Sequence, residues 1–119
     1  MTRMTLIWIN SQKDNDYLPT HYHTHCAIST VMYLKIPEYL PSRKTFSTDA
    51  EDGSIEFSNN SSQDKIWGIP TMTLYPRVGD FYIFPSSQLH QVYPFRTSDG
   101  KGERRSVSFN AQFSTTKKG

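Results

Sequence analysis

Apolar and polar residues alternate along much of this chain with a period of two, the spacing of a strand that buries one face. The clearest case is Ala27 to Ile36. Ile28, Thr30, Met32, Leu34 and Ile36 share one face there, and Ser29, Val31, Tyr33 and Lys35 share the other. Pro37 and Pro41 end the run. Arg104 to Phe113 alternates as cleanly, with Val107, Phe109, Ala111 and Phe113 on one side and Arg104, Ser106, Ser108 and Asn110 on the other. Asp80 to Phe84 is an aromatic strand stopped by Pro85. Shorter extended segments are expected at Thr5–Ile9, Tyr17–His23 (with Pro19 at an edge or a strand start), Ser54–Phe57, Thr71–Tyr75 and Gln91–Tyr93. Asn10–Asp16, Thr45–Gly53 and Ser58–Asp64 read as polar loops, and Thr97–Glu103, with Asp99-Gly100 and Gly102, reads as a hairpin turn. No amphipathic helix and no internal repeat interrupts this pattern. Seven or eight short strands predict an all-β sandwich or barrel, and 119 residues suit one domain spanning 1–119.

Charge and composition narrow the function. Thirteen Lys and Arg against eleven Asp and Glu leave a net charge of +2, too balanced for a nucleic-acid partner. Lys117 and Lys118 lie on a polar tail and read as solvated. The single cysteine, Cys26, excludes an internal disulfide and suits a reducing compartment. The N-terminal apolar run, Leu6 to Ile9, is far shorter than a signal peptide core or a membrane span. A cytoplasmic location without membrane contact is the expectation.

The candidate chemistry lies in two separated stretches. On a strand, His21 and His23 would point to the same side, with Tyr22 facing away between them. His90 follows Pro85 much later, where a barrel could bring a far strand back over the first. Three imidazoles hold a metal ion and leave positions open for other ligands. The bland alternative is a polar strand with exposed histidines. His25 falls one further alternation along and is expected outside the cluster, and Cys26 is expected to be buried rather than ligating. Arg104 and Ser106 form a second constellation. An Arg fork matches a carboxylate with two parallel hydrogen bonds, and a hydroxyl two residues on points the same way. The same pair also fits a solvent-facing hairpin edge. Arg105 would face the opposite side, and Tyr33 is either a phenolic donor to the same ligand or a core aromatic.

The chain resembles the 2-oxoglutarate/Fe(II)-dependent oxygenases, in particular a small bacterial and phage group. The resemblance runs through Trp8-Ile9-Asn10, Pro19-Thr20-His21-Tyr22-His23, Ile28 to Leu34 and Gly53 to Phe57. It continues through Gly79 to Ser86, Leu89 to Pro94 and Arg104 to Asn110. It implies a double-stranded β-helix, the jelly-roll barrel shared with cupins. It also implies Fe(II) as the metal, with His21 and His90 as ligands, and Arg104 as the residue that grips the far carboxylate of 2-oxoglutarate. Joined to the constellations above, the expected site has His21, His23 and His90 on the metal, and Arg104 and Ser106 on 2-oxoglutarate with Tyr33 as a helper. The implied reaction hydroxylates a small molecule or a protein side chain while 2-oxoglutarate is decarboxylated to succinate, in a bacterial or phage-infected cell. Two features depart from the superfamily pattern. The usual His-x-Asp or His-x-Glu is His-x-His here, and the interval from His90 to Arg104 is longer than usual. A cupin-like metal- or sugar-binding module is the alternative on the same fold, since Gly79, Pro85 and His90 also follow a cupin motif. Exposed strand edges and a patch of Leu6, Trp8, Met32 and Leu34 suggest a homodimer.

Overall fold

The computed structural model describes residues 2–42, 51–58 and 71–114, and among these every regular element is a strand. In chain order they are β1 (Thr2–Lys13), β2 (Leu18–His21), β3 (Ile28–Lys35), β4 (Ile55–Ser58), β5 (Thr71–Leu74), β6 (Phe81–Pro85), β7 (Leu89–Val92) and β8 (Glu103–Phe113). Most of the loops expected at Thr45–Gly53 and Ser58–Asp64 falls outside the described residues, as does the tail with Lys117 and Lys118.

Two four-stranded antiparallel sheets form, in the orders β1-β8-β3-β6 and β2-β7-β4-β5. Successive strands thus change sheets repeatedly, which is a double-stranded β-helix, or jelly roll. The small core lies on the inner face of the second sheet. Ile55, Phe57 and Val92 pack there with Phe84 of β6, and Val31, Leu74 and Tyr82 close around them.

Register decides which side chains face inward. Arg104, Ser106, Ser108 and Asn110 of β8 are all buried, whereas Val107 and Phe109 are half-buried on the outer side. Residues directly opposite one another share a face, so Gln12, Asn10 and Trp8, paired with Arg104, Ser106 and Ser108, also face inward. On β3 the inward set is Ser29, Val31 and Tyr33. The more apolar set faces out, yet Thr30 within it is buried, its hydroxyl bonding both the carbonyl and the amide of Phe109.

Three expectations need correction. Asn10–Lys13 is not a loop but the second half of β1, whose polar side chains suit a polar interior. The Thr97–Glu103 turn does not join a hairpin: Gly100 is left-handed (φ 68°), but the preceding β7 and the following β8 belong to different sheets. That turn is clipped to the end of β1, because the Asp14 carboxylate accepts hydrogen bonds from Thr97 N (2.7 Å), Thr97 Oγ1 (2.9 Å) and Gly102 N (3.0 Å). Finally, Leu6 and Trp8 do not join Met32 and Leu34 in one patch, since the β1 register puts Trp8 on the cavity side.

Candidate metal and carboxylate site

His21 ends β2 and lies directly opposite His90 of β7. Their rings are 4.1 Å apart, centroid to centroid. His23 is not on the strand, contrary to the expected Tyr17–His23 segment; it belongs to the irregular stretch after β2. A different device places it. His23 N donates to Ser86 O (2.9 Å), while Ser86 N and Oγ donate to the carbonyls of Ala27 and Cys26. The 22–27 connection is thus tied to the end of β6, and the His23 ring lies 5.3 Å from both other imidazoles.

The three rings offer one ligand nitrogen each, all within 4.8 Å of one another. Donors each about 2.1 Å from one ion would stand roughly 3 Å apart, so a modest inward rotation closes the set. The tautomers favour this. His21 Nδ1 lies 2.7 Å from Pro19 O, and His90 Nδ1 lies 2.9 Å from Gln88 O. A carbonyl can only accept, so each Nδ1 carries a proton, and in the neutral ring Nε2 is the free donor atom. Burial lowers the pKa of His90 to about 4, helped by His21 and His23 and partly opposed by the Gln88 carbonyl. Phe84 and Phe57 form the apolar wall against that ring. Burial, and then His21, also lowers the pKa of His23. These two rings are therefore neutral near pH 7, as metal donors must be. Exposed His25 and half-buried Cys26 are not in the cluster, and Cys26 Sγ instead lies 4.0 Å from Ser29 Oγ.

Arg104 enters the same cavity from β8. The cavity is about 470 Å³ and is lined by the three histidines together with Tyr33, Arg104 and Ser106. Arg104 is only 3% exposed. Its Nη1 donates to Gly53 O (2.6 Å) and Tyr39 Oη (3.3 Å), and its Nη2 donates to Gln12 Oε1 (2.5 Å). The guanidinium also lies over the rings of Phe95 and Tyr33, 5.5 and 5.7 Å from their centroids. Every one of these partners is uncharged, and among the described residues no carboxylate forms an ion pair with Arg104. Gly53 is required at its position. Its φ is +77°, and an added Cβ would lie 2.4 Å from Tyr39 Cε2. Tyr33 is opposite Ser106; burial raises its phenol's pKa, against the pull of Arg104, so it stays protonated. Arg105 faces outward and pairs with Glu103 (2.6 Å).

Gln12, Tyr39 and Gly53, which hold Arg104, are not singled out by the sequence. Extending the period-two pattern of β1 from Trp8 through Asn10 to Gln12 is the one signal that finds Gln12.

The sequence matches the model of the family described as "Putative 2OG-Fe(II) oxygenase" over residues 6–110. The chain belongs to this 2OG-Fe(II) oxygenase family. Solved structures agree on the fold. An oxidoreductase of the 2OG-Fe(II) oxygenase family from Burkholderia pseudomallei superposes with a TM-score of 0.65 at 16% identity, over 94% of this chain and 45% of that one. A Pseudomonas putida prolyl-4-hydroxylase superposes with a TM-score of 0.60 at 16% identity, over 92% of this chain and 51% of that one. The chain thus spans about half the length of these structural relatives. No curated protein matches the sequence. Among the described residues no helix is long and apolar enough to cross a membrane.

Proposed function

We propose that this oxygenase-family chain, as one double-stranded β-helix domain over residues 1–119, is a 2-oxoglutarate- and Fe(II)-dependent dioxygenase. In this reading His21, His23 and His90 hold the metal, and Arg104, Ser106 and Tyr33 hold the far carboxylate of 2-oxoglutarate. The observation that carries it is Arg104. A buried cation without a carboxylate partner is costly, and an entering dianion relieves that cost. A cavity that also presents three converging imidazoles suits a ligand with a chelating end and an anionic end. Three neutral donors leave the metal's two positive charges uncompensated, so a dianionic cosubstrate fits this set better than it would fit one already carrying a carboxylate.

Bound Fe(II) and 2-oxoglutarate supply oxygen activation, with decarboxylation to succinate and hydroxylation of a C–H bond. The protein's part is geometric. The Pro19 and Gln88 carbonyls fix the orientation of two imidazoles. Phe57 and Phe84 keep water from one side of His90. Arg104 fixes the direction of the cosubstrate, and the remaining space takes a small molecule or a protein side chain, not a nucleic acid. A reducing bacterial or phage-infected cytoplasm would keep both Cys26 and Fe(II) reduced. Anaerobic addition of Fe(II) and 2-oxoglutarate tests the reading through the visible metal-to-ligand charge-transfer band. The band should appear only with both present. Metal binding without any band would favour the cupin-like alternative, a metal- or sugar-binding module without oxygenase activity.

The same reading includes a homodimer, built on the outer face of β1-β8-β3-β6. Ile7, Ile9, Leu34, Phe81, Ile83 and Phe113 are each 44–67% exposed there. At roughly 100 Å² each they offer on the order of 600 Å², at the upper end for a monomer's largest patch and near the ~800 Å² per partner of a stable interface. Half-buried Met32, Val107 and Phe109 lie between them, and the charges of Lys13, Glu103 and Arg105 sit at one end. A second copy can pack on the apolar part of such a face with these charges, and that of Lys35 opposite Arg105, kept at its rim. Sedimentation showing only monomer at high concentration would reject it.

A further inference from the structure

We propose that Gln12 is a built-in stand-in for the cosubstrate's distal carboxylate, occupying Arg104 while the site is empty and swinging away as the carboxylate arrives. The inference rests on the proposed 2-oxoglutarate site and adds a residue which that reading does not assign. Gln12 is directly opposite Arg104 in the β1–β8 register, so both side chains enter the cavity from adjacent strands. Its Oε1 accepts from Arg104 Nη2 at 2.5 Å, the shortest of the contacts that Arg104 makes. The other two acceptors differ in kind. Gly53 O is fixed backbone, and Tyr39 Oη belongs to a ring stacked on Phe95 (4.9 Å between centroids). Gln12 alone among the three is an unbranched, rotatable side chain, and among the described residues its side chain's only other hydrogen bond is from Nε2 to Asp16 O (3.1 Å), in the exposed β1–β2 turn.

The exchange is favourable on simple grounds. An amide oxygen is a neutral acceptor, and a carboxylate makes charge-assisted bonds to the guanidinium of about twice the strength. The empty site still needs an acceptor, because a buried Nη2 donor facing nothing carries the full desolvation cost. An amide therefore satisfies Arg104 in the resting state and yields to the ligand. A carboxylate at position 12 would satisfy it too well and compete. Asp16 and Tyr17 also line the cavity, so the turn that anchors the amide's Nε2 lies at its rim.

The test uses the full chain loaded with Mn(II), and compares binding of 2-oxoglutarate with binding of oxalate by calorimetry. Oxalate can chelate the metal but has no distal carboxylate. Gln12→Glu is isosteric and should weaken 2-oxoglutarate at least about 30-fold while leaving oxalate within about twofold, since a new carboxylate on a guanidinium contributes on the order of 2 kcal/mol or more. Gln12→Ala should bind 2-oxoglutarate as tightly as wild type or more tightly. A fold defect would lower both ligands together and would not change their ratio. If Gln12→Glu keeps the wild-type ratio, or if Gln12→Ala loses 2-oxoglutarate selectively, Gln12 is no stand-in and the proposal falls. If wild type binds oxalate but not 2-oxoglutarate, the cosubstrate assignment itself fails, and this inference with it.

Discussion

Along most of β1 and β8, the two faces of the sheet β1-β8-β3-β6 reverse the usual order of a globular protein. Its inner face carries Gln12, Asn10, Arg104, Ser106, Ser108 and Asn110, and its outer face carries Ile7, Ile9, Val107, Phe109, Phe81 and Ile83. The facing sheet is ordinary on its inner side, with Ile55, Phe57 and Val92 packed in the core. Hydrophobic burial, completed by Val31 and Phe84 of β3 and β6, therefore holds one side of the barrel, while the β1–β8 side is given over to a polar cavity. Asn110 Oδ1, on this inner face, is buried without a hydrogen-bond partner among the described residues. The apolar surface that this wall does not bury inside is left outside, which supports the proposed contact with a second copy.

Substitutions on the two faces should fail in different ways. The largest effect is expected from His90→Ala, which should weaken Mn(II) or Fe(II) binding by more than about 100-fold, beyond the 10–100-fold typical of losing a ligand's hydrogen-bond partner. Exposed His25→Ala should leave metal affinity unchanged, and equal losses in calorimetry would show that the cluster is misassigned. On the outer face, Ile9→Lys or Ile83→Lys should prevent the proposed dimer with cosubstrate binding kept, since each Ile that a second copy would bury contributes about 1.5–3 kcal/mol. Sedimentation reads this, and loss of 2-oxoglutarate binding from either change would merge the two faces into one function.

Gly53→Ala tests the support of Arg104. The added methyl meets Tyr39 and strains a left-handed residue, at a cost of roughly 1–3 kcal/mol. Thermal unfolding should show the loss, and 2-oxoglutarate affinity should drop with it because Gly53 O is an Arg104 acceptor. The smallest effect concerns Asp14. Burial raises its pKa, but hydrogen bonds from Thr97 and Gly102 together outweigh this and leave it below the ordinary 3.8. A depressed carboxylate stabilises above its unfolded value and loses that contribution as pH falls through the folded one. Wild type should therefore lose Tm as pH drops below 3.8, and Asp14→Asn should show a shallower acid dependence. An unchanged pH profile would dismiss the clip.

Much of this was legible in the sequence where a local rule and the fold agree. β3 and β8 alternate strictly, so their boundaries and the shared face of Arg104 and Ser106 could be read directly. The far end of β1 could not, because Asn10 to Lys13 looks like a loop to any rule that expects an apolar interior. The Asp99-Gly100 signal marks a turn correctly but carries no information on which sheets its strands join. His21 and His23 meet, yet through the Ser86 tie rather than through strand alternation, a long-range contact that spacing does not encode. The hydrogen bonds that hold Arg104 come from residues 12, 39 and 53, and only a folded chain brings these together.

Arg104 and Arg105 are adjacent in sequence and opposite in direction, so they separate the two faces with a single pair of variants. The decisive measurement is calorimetric titration of 2-oxoglutarate into metal-loaded wild type, Arg104→Ala and Arg105→Ala. Arg104→Ala should cost on the order of 2–4 kcal/mol with metal affinity retained. Arg105→Ala, which loses a surface ion pair with Glu103, should stay within about 0.5 kcal/mol of wild type. A silent wild type, or a loss confined to Arg105→Ala, would contradict the assignment of the inner face as the cosubstrate site.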